Sequence, residues 1–147
     1  MSLGNIFDIA GSGMSAQTIR LNATASNLAN AETPAGSEED AFKARYPIFS
    51  AVQAQTLQQM QGSQALTGGD EFSGVRIQGI VESDKAVQMR YEPQHPLSDG
   101  EGYVYYPNVN VVEEMTNMIS ASRSFQANVD VMNATKTMMQ RVLSLGQ

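Results

Sequence analysis

The chain has 147 residues, nine Lys and Arg against fifteen Asp and Glu, and a formal charge of −6. Its basic residues are scattered singly and make no footprint for a phosphate backbone, and the lack of cysteine removes disulfides, thiolate nucleophiles and thiolate metal sites. With 41% hydrophobic residues, 7% aromatics and no Trp, a packed but modest interior fits one domain, or two small lobes sharing a stalk.

The start, Met1-Ser2-Leu3-Gly4-Asn5, has no basic n-region, and Asp8, Gly11, Ser12 and Gly13 interrupt the apolar stretch behind it. No cleaved secretory signal is expected, and no run approaches the roughly 20 apolar residues of a membrane span. Residues 4 to 31 read as the first helix. Phe7, Met14, Leu21 and Leu28 recur every seven residues, with Ile6, Ala10, Thr18 and Ala25 on the same side and Asp8, Ser12, Arg20, Ser26 and Asn30 opposite. Gly11 and Gly13 weaken a helix by about 1 kcal/mol each relative to Ala, yet admit a close neighbour. Thr33-Pro34 ends the run, because the residue before proline is pushed out of the helical region.

The middle, residues 35 to 107, changes character. Ala35 to Asp40 reads as an acidic loop, and Phe42 to Val52 alternates as an extended segment. Residues 53 to 69 form a Gln/Gly-rich stretch, with a short helical tendency over Thr56 to Met60. Gly74 to Val81 alternates as a strand, and Val87, Met89 and Tyr91 form another; Ser83-Asp84-Lys85 between them predicts a hairpin. Pro93, Pro96, Asp99-Gly100 and Gly102 mark a long turn before a third strand, Tyr103 to Tyr106.

The last zone, 109 to 144, carries the strongest pattern. Val111, Met118, Phe125, Met132 and Met139 lie seven apart, and a second row offset by four holds Met115, Ser122, Val129, Lys136 and Leu143. Together they predict a heptad seam on a helix about 50 Å long. Asn108 and Asn110 are candidate N-caps, Glu113 and Glu114 suit the helix start, and Gly146 suits its end. The expected fold class is therefore α+β. Long terminal helices (1–34 and 108–147) form one discontinuous helical domain, packed as a coiled-coil or tube, around a small β-rich insert (35–107). Two helices do not cover such stripes alone, so further copies of the chain are expected to finish them.

The stretch Asn22 to Thr33 (NATASNLANAET) resembles the signature of flagellar rod, hook and related axial proteins, and Asn108 to Met115 with Ser120 to Val129 resembles that family's C-terminal helix. Within the family, Asn5 to Ser12, and Tyr91 to Leu97 leading into Gly102-Tyr103-Val104, resemble a proximal-rod member. The family motif maps onto Asn22, Asn27, Leu28, Asn30, Glu114, Met115, Arg123 and Asn128. The sequence departs from the family where Ala35 separates Thr33-Pro34 from Gly36. The resemblance implies a structural subunit of the basal-body rod in the periplasm. It implies export through the flagellar type III apparatus, and polymerisation with other copies and neighbouring rod proteins into a drive shaft and channel wall. Phe7, Met14, Leu21, Leu28, Met115, Met118, Phe125, Val129, Met132, Met139 and Leu143 are the expected subunit-packing residues.

Readings of other classes are weaker. His95 between Gln94 and Pro96 reads as a turn residue, and Glu38-Glu39-Asp40 lacks the ligand spacing of a calcium loop. Gly68, Gly69 and Gly74 precede no phosphate-binding helix, Ser98-Asp99 has no nucleophile elbow, and no spaced pair of acids suits glycan hydrolysis. No catalytic, cofactor or metal site is expected, nor a nucleic-acid or small-molecule partner. The alternatives are another axial rod or hook paralogue, or a soluble coiled-coil adaptor of a secretion system.

Overall fold

A computed structural model describes residues 3–53 and 72–145, with side-chain environments for 4–52 and 74–144. Helix α1 (Leu3–Asn30) is followed by strands β1 (Arg45–Gln53), β2 (Phe72–Glu82), β3 (Gln88–Tyr91) and β4 (Tyr103–Tyr106), and helix α2 (Val111–Leu145) follows them. The α+β class read from the sequence is what the chain adopts. From residue 54 the Gln/Gly-rich stretch, with its short helical tendency, lies outside the described residues, as does Gly146.

Strand pairing differs from expectation. β1 pairs with β2 and β3 pairs with β4, so Ser83-Asp84-Lys85 does not close a hairpin between β2 and β3. The reason is a side chain from farther along. Asn108 Nδ2 donates to the carbonyls of Ser83 (3.3 Å) and Lys85 (2.6 Å), while its Oδ1 accepts the Ala44 N–H at 2.8 Å. These bonds hold the connection to the start of β1 and release β3 to pair antiparallel with β4, Met89 opposite Tyr105 and Arg90 opposite Val104. Ala35 adds to the far side of β4, exchanging bonds of 2.8 and 3.0 Å with Tyr105. The residue that departs from the family turn is thus a strand partner.

The chain divides into two compact units. One holds residues 1–18, 49–78 and 122–147, the other 19–48 and 79–121. Each contains part of both helices. In the first unit Ser12 Oγ donates to Ile9 O at 2.8 Å and accepts the Val75 N–H at 3.1 Å, fixing the start of β2 on α1. Gly74 makes this possible: its φ of +133° suits glycine, and a Cβ there would collide with Ser12. In the second unit Ala31, Ala44 and Val109 form a small apolar core flanked by Phe42, Tyr46 and Val111.

Asn110 is the N-cap of α2, its Oδ1 accepting from the N–H groups of Val112 (3.0 Å) and Glu113 (3.3 Å). Such a cap is worth about 1 kcal/mol. Asn108, the other candidate, is the clamp described above.

The buried faces of both helices are smaller and more polar than the heptads predict. On α1 the buried residues are Ala10, Ala16, Ala23, Thr24 and Asn27, while Phe7, Met14, Leu21 and Leu28 flank them half-buried. Thr18 and Ala25, expected on the packed side, are exposed, and Gly11 has open space around it. Gly13 meets Asn128, whose Nδ2 would lie 3.0 Å from an added Cβ. On α2 the row Val111, Met118, Phe125, Met132 and Met139 is half-buried as its position requires. Its companion is offset by three, not four: Glu114, Ala121 and Thr135 are buried and Asn128 half-buried. The offset-four row points outward, with Met115 52% and Leu143 73% exposed, Ser122 and Lys136 exposed, and only Val129 half-buried.

Candidate functional site

The most constrained cluster lies in the second unit, where three segments meet at two buried polar side chains. Asn27, near the end of α1, is fully buried, and its amide pairs with both backbone groups of Arg45: Nδ2 donates to Arg45 O at 3.0 Å, and Oδ1 accepts Arg45 N–H at 2.9 Å. The side chain acts as a short strand partner for the first residue of β1. The same Nδ2 reaches Glu114 Oε2 at 3.3 Å, and Tyr46 OH donates to Glu114 Oε1 at 3.0 Å. Glu114 is 1% exposed, in the first turn of α2.

A buried carboxylate is costly unless its oxygens are satisfied. Here each oxygen accepts a bond from a neutral donor, and the helix N-terminus favours negative charge in its first turn. Burial, then the bond to Glu114 and the charges of Glu114 and Glu113, push the Tyr46 hydroxyl up to about 12, so it stays a donor at physiological pH. Arg45 turns away, to an exposed pair with Glu82 at 3.0 Å that contributes little. Two turns back along α1, Arg20 donates to Asn117 Oδ1 at 3.1 Å, a further polar tie between the helices. The cluster has the form of a structural joint: three elements locked by complementary donors and acceptors.

The long β3–β4 turn has its own anchor. Asp99 accepts the N–H groups of Tyr103 (2.8 Å) and Glu101 (2.9 Å) and the hydroxyl of Tyr105 (3.3 Å). Those bonds, the Tyr103 N–H first, hold its carboxyl below the usual range. His95 accepts the Leu97 N–H at 3.1 Å within the turn, as its sequence context predicts. Glu38, Glu39 and Asp40 are exposed, and among the described residues no acidic or histidine group clusters with metal-site geometry. An open hollow of about 460 Å³ between Asn30, Phe42 and Glu82 is rimmed by both Lys43 and Asp40.

Outside the joint, α2 presents an apolar strip that the described residues leave uncovered: Val112 is 73%, Met115 52% and Ile119 56% exposed, three and four residues apart. Near its end Met138, Val142 and Leu143 are 60%, 62% and 73% exposed. No described helix is long and apolar enough to cross a membrane.

Of the motif residues, Asn27 and Glu114 form the joint. Asn30 caps its own helix through Ser26 O (2.8 Å), and Asn128 fills the space beside Gly13 while bonding Ser124 O (3.0 Å). Asn22, Met115 and Arg123 are exposed. Sequence reasoning missed Tyr46 and Asn108, whose partners are distant along the chain. The buried row of α2 carried a signal, since Glu114, Ala121, Asn128 and Thr135 also repeat every seven residues.

Residues 7–34 match the family described as flagella basal body rod protein, and residues 101–145 match the C-terminal family of the flagellar basal body rod FlgEFG proteins. Over the full length of both chains, this chain is 46% identical to the flagellar basal-body rod protein FlgC of Yersinia enterocolitica and 44% to that of Salmonella typhimurium. It is 31% identical to FlgC of Bacillus subtilis, again over the whole of both. The chain belongs to the FlgC family of flagellar basal-body rod proteins. Two side chains of the joint lie in the family-matched segments, Asn27 in the first and Glu114 in the second. Tyr46 and Arg45 come from the insert between them.

Proposed function

We propose that this chain is a structural subunit of the flagellar basal-body rod, in its proximal part, polymerising through its terminal helices into the drive shaft and the wall of the export channel. The observation that carries this reading is the full-length likeness to FlgC rod proteins. The geometry fits it: buried side-chain bonds lock α1, β1 and α2 together, while the Val112–Met115–Ile119 strip stays bare. A helix gains most of its stability from packing an apolar face, so a bare strip suits contact with further copies and neighbouring rod proteins. Phe7, Met14, Leu21 and Leu28, with Met118, Phe125, Val129, Met132 and Met139, flank the intrachain seams half-buried and supply the rest of that contact. In this reading residues 1–34 and 108–147 are the inner, tube-forming part and 35–107 the outer part. The chain reaches the periplasm through the flagellar type III apparatus without a cleaved signal, and it performs no catalytic step.

Deletion of the gene followed by isolation of basal bodies tests the proposal. The deletion strain is expected to be non-motile with rods missing or stalled, and the restored chain to be found in the rod. Complete rods in its absence would refute it.

A further inference from the structure

We propose that Asp99-Gly100 is a latent modification site, open to isoaspartate formation in the unfolded chain and held shut by the folded β3–β4 turn. Asp99 is the only Asp or Asn in the sequence that a glycine follows. The reaction brings the next residue's nitrogen onto the side-chain carboxyl carbon, and a glycine, with no Cβ, leaves that approach open. The Gly100 nitrogen bonds to Asp99 Cγ. One carboxyl oxygen leaves as water, taking the carboxyl proton and the amide hydrogen, and a five-membered imide remains. Water then adds back. Addition at Cγ restores aspartate, whereas addition at the main-chain carbonyl leaves the chain running through Cβ, with the carboxylate now on Cα. No reactant other than water is needed.

The turn opposes each requirement of this chemistry. Both carboxyl oxygens are held past Gly100: Oδ1 accepts the N–H groups of Glu101 and Tyr103 at 2.9 and 2.8 Å, and Oδ2 accepts the Tyr105 hydroxyl at 3.3 Å. Whichever oxygen is to depart must first give up a bond. Ring closure also needs freedom to turn about the Cα–C bond of Asp99. That bond is pinned on both sides, by Asp99 N–H on Tyr103 O at 2.9 Å and Gly102 N–H on Asp99 O at 3.1 Å. Gly102 lets the chain close this tightly, with a φ of +86° and the Tyr91 ring 3.0 Å from where a Cβ would stand. Finally, water leaves from the protonated carboxyl, and the same bonds, the Tyr103 N–H first, favour the ionised one.

The product does not fit the turn that prevents it. An isoaspartate lengthens the main chain by one methylene and takes the carboxylate away from the Glu101 and Tyr103 N–H groups and the Tyr105 hydroxyl. Those bonds lead directly into β4, where Tyr103 and Tyr105 pair with Tyr91 and Met89. A chain that isomerises before folding therefore loses the anchor of its β3–β4 sheet, and a chain that folds first is protected.

Ageing the purified full-length chain at mildly acidic pH, folded and in urea, tests this. Isoaspartate is read by enzymatic methylation of isoaspartyl carboxyls and placed by peptide mapping. The folded chain is expected to gain it at residue 99 at least about tenfold more slowly than the unfolded chain, since reaction must wait for the turn to open. Gly100→Ala is tolerated, with nothing within 4 Å of its added Cβ, and should remove most of the labelling in urea. Tyr105→Phe, its fold checked by circular dichroism, takes one bond from the carboxylate. It should speed the folded reaction about two- to tenfold, the weight of one net hydrogen bond. Equal rates for folded and unfolded wild type, or labelling in urea undiminished by Gly100→Ala, would overturn the proposal. A folded Tyr105→Phe no faster than wild type would overturn the part given to the carboxylate bonds. The assay needs no assembly, so its outcome is separate from that of the rod reading.

Discussion

Asn27 and Glu114, 87 residues apart in sequence, meet in the interior, with the Asn27 amide 3.3 Å from the Glu114 carboxylate. The contact joins the end of one family-matched segment to the start of the other, and Tyr46 closes it from the strand between. It explains how a chain with few large buried side chains holds its helices in register. The bonds are directional, and each misplacement leaves a buried donor or acceptor unpaired.

The first prediction removes that acceptor. Glu114→Ala strands the Tyr46 hydroxyl, deprives Asn27 of one bond and leaves a cavity, so a loss of about 2–4 kcal/mol is expected. Glu114→Gln keeps one carbonyl acceptor and adds an amide donor, to which the Tyr46 hydroxyl can turn as acceptor. Its cost is expected to be nearer 1 kcal/mol. Urea unfolding of the purified variants measures both, and equal, small effects would mean the joint contributes little.

The pattern of what the sequence revealed has a physical origin. Both helices and their ends were legible, because heptads, a capping Asn110 and the Thr33-Pro34 stop are local signals. The row of α2 that packs inside the chain is not legible locally, because Met115, Val129 and Leu143, the residues expected to meet other subunits, outweigh Glu114, Asn128 and Thr135 on any hydrophobic count. Only the partners, Asn27 and Gly13 on α1, make the polar row an interior one. The β2–β3 hairpin failed for the same reason: Asn108, distant in sequence, takes the Ser83 and Lys85 carbonyls and overrides the local turn.

A second prediction follows from the raised Tyr46 hydroxyl. Folding holds its proton up to about 12, whereas the unfolded side chain loses it near 10. Its contribution is therefore fully present below the unfolded value and is lost as pH rises through the folded one. Thermal unfolding midpoints should fall between these pH values, and Tyr46→Phe should flatten that part of the fall while lowering stability at neutral pH. An unchanged alkaline slope in Tyr46→Phe would show that this hydroxyl is not the linked group.

The glycines on and beside α1 separate cleanly. Gly11 has nothing near its missing Cβ, so Gly11→Ala is expected to stabilise the monomer by about 1 kcal/mol through helix propensity. Gly74→Ala forces a side chain into positive φ and into Ser12, and is expected to cost about 1–3 kcal/mol. Denaturant midpoints of the two variants should move in opposite directions.

Hydrogen exchange of the dilute monomer tests how far the helices stand without partners. Ala23, Thr24 and Asn27, and Glu114 with Ala121, are buried within their unit, and Asn27 is tied to β1, so the amides of these stretches are expected to exchange slowly. From Lys136 to Ser144 every side chain except Met139 is exposed, and a helix end without cover frays. Fast exchange is expected there, slowing on assembly. Protection equal to that of the joint would show that this end is stable alone.

The last prediction separates folding from assembly. A charge at Phe125 would disturb both, since that ring is half-buried against its own chain. Ile119 is the better probe: it is 56% exposed, and it shares an uncovered strip with Val112 and Met115. Ile119→Asp places its carboxylate in water in the monomer, so stability should change by about 0.5 kcal/mol or less. If the strip is the surface that neighbouring subunits cover, the same carboxylate becomes buried and unpaired in every copy, at a cost of several kcal/mol each. The variant is therefore expected to be produced and folded, with a urea midpoint close to wild type, yet absent from isolated rods in a non-motile cell. Ala121→Asp, two residues on and fully buried in the chain, should instead fail at folding. Normal swimming with Ile119→Asp present in the rod would place the subunit contact on another face of α2.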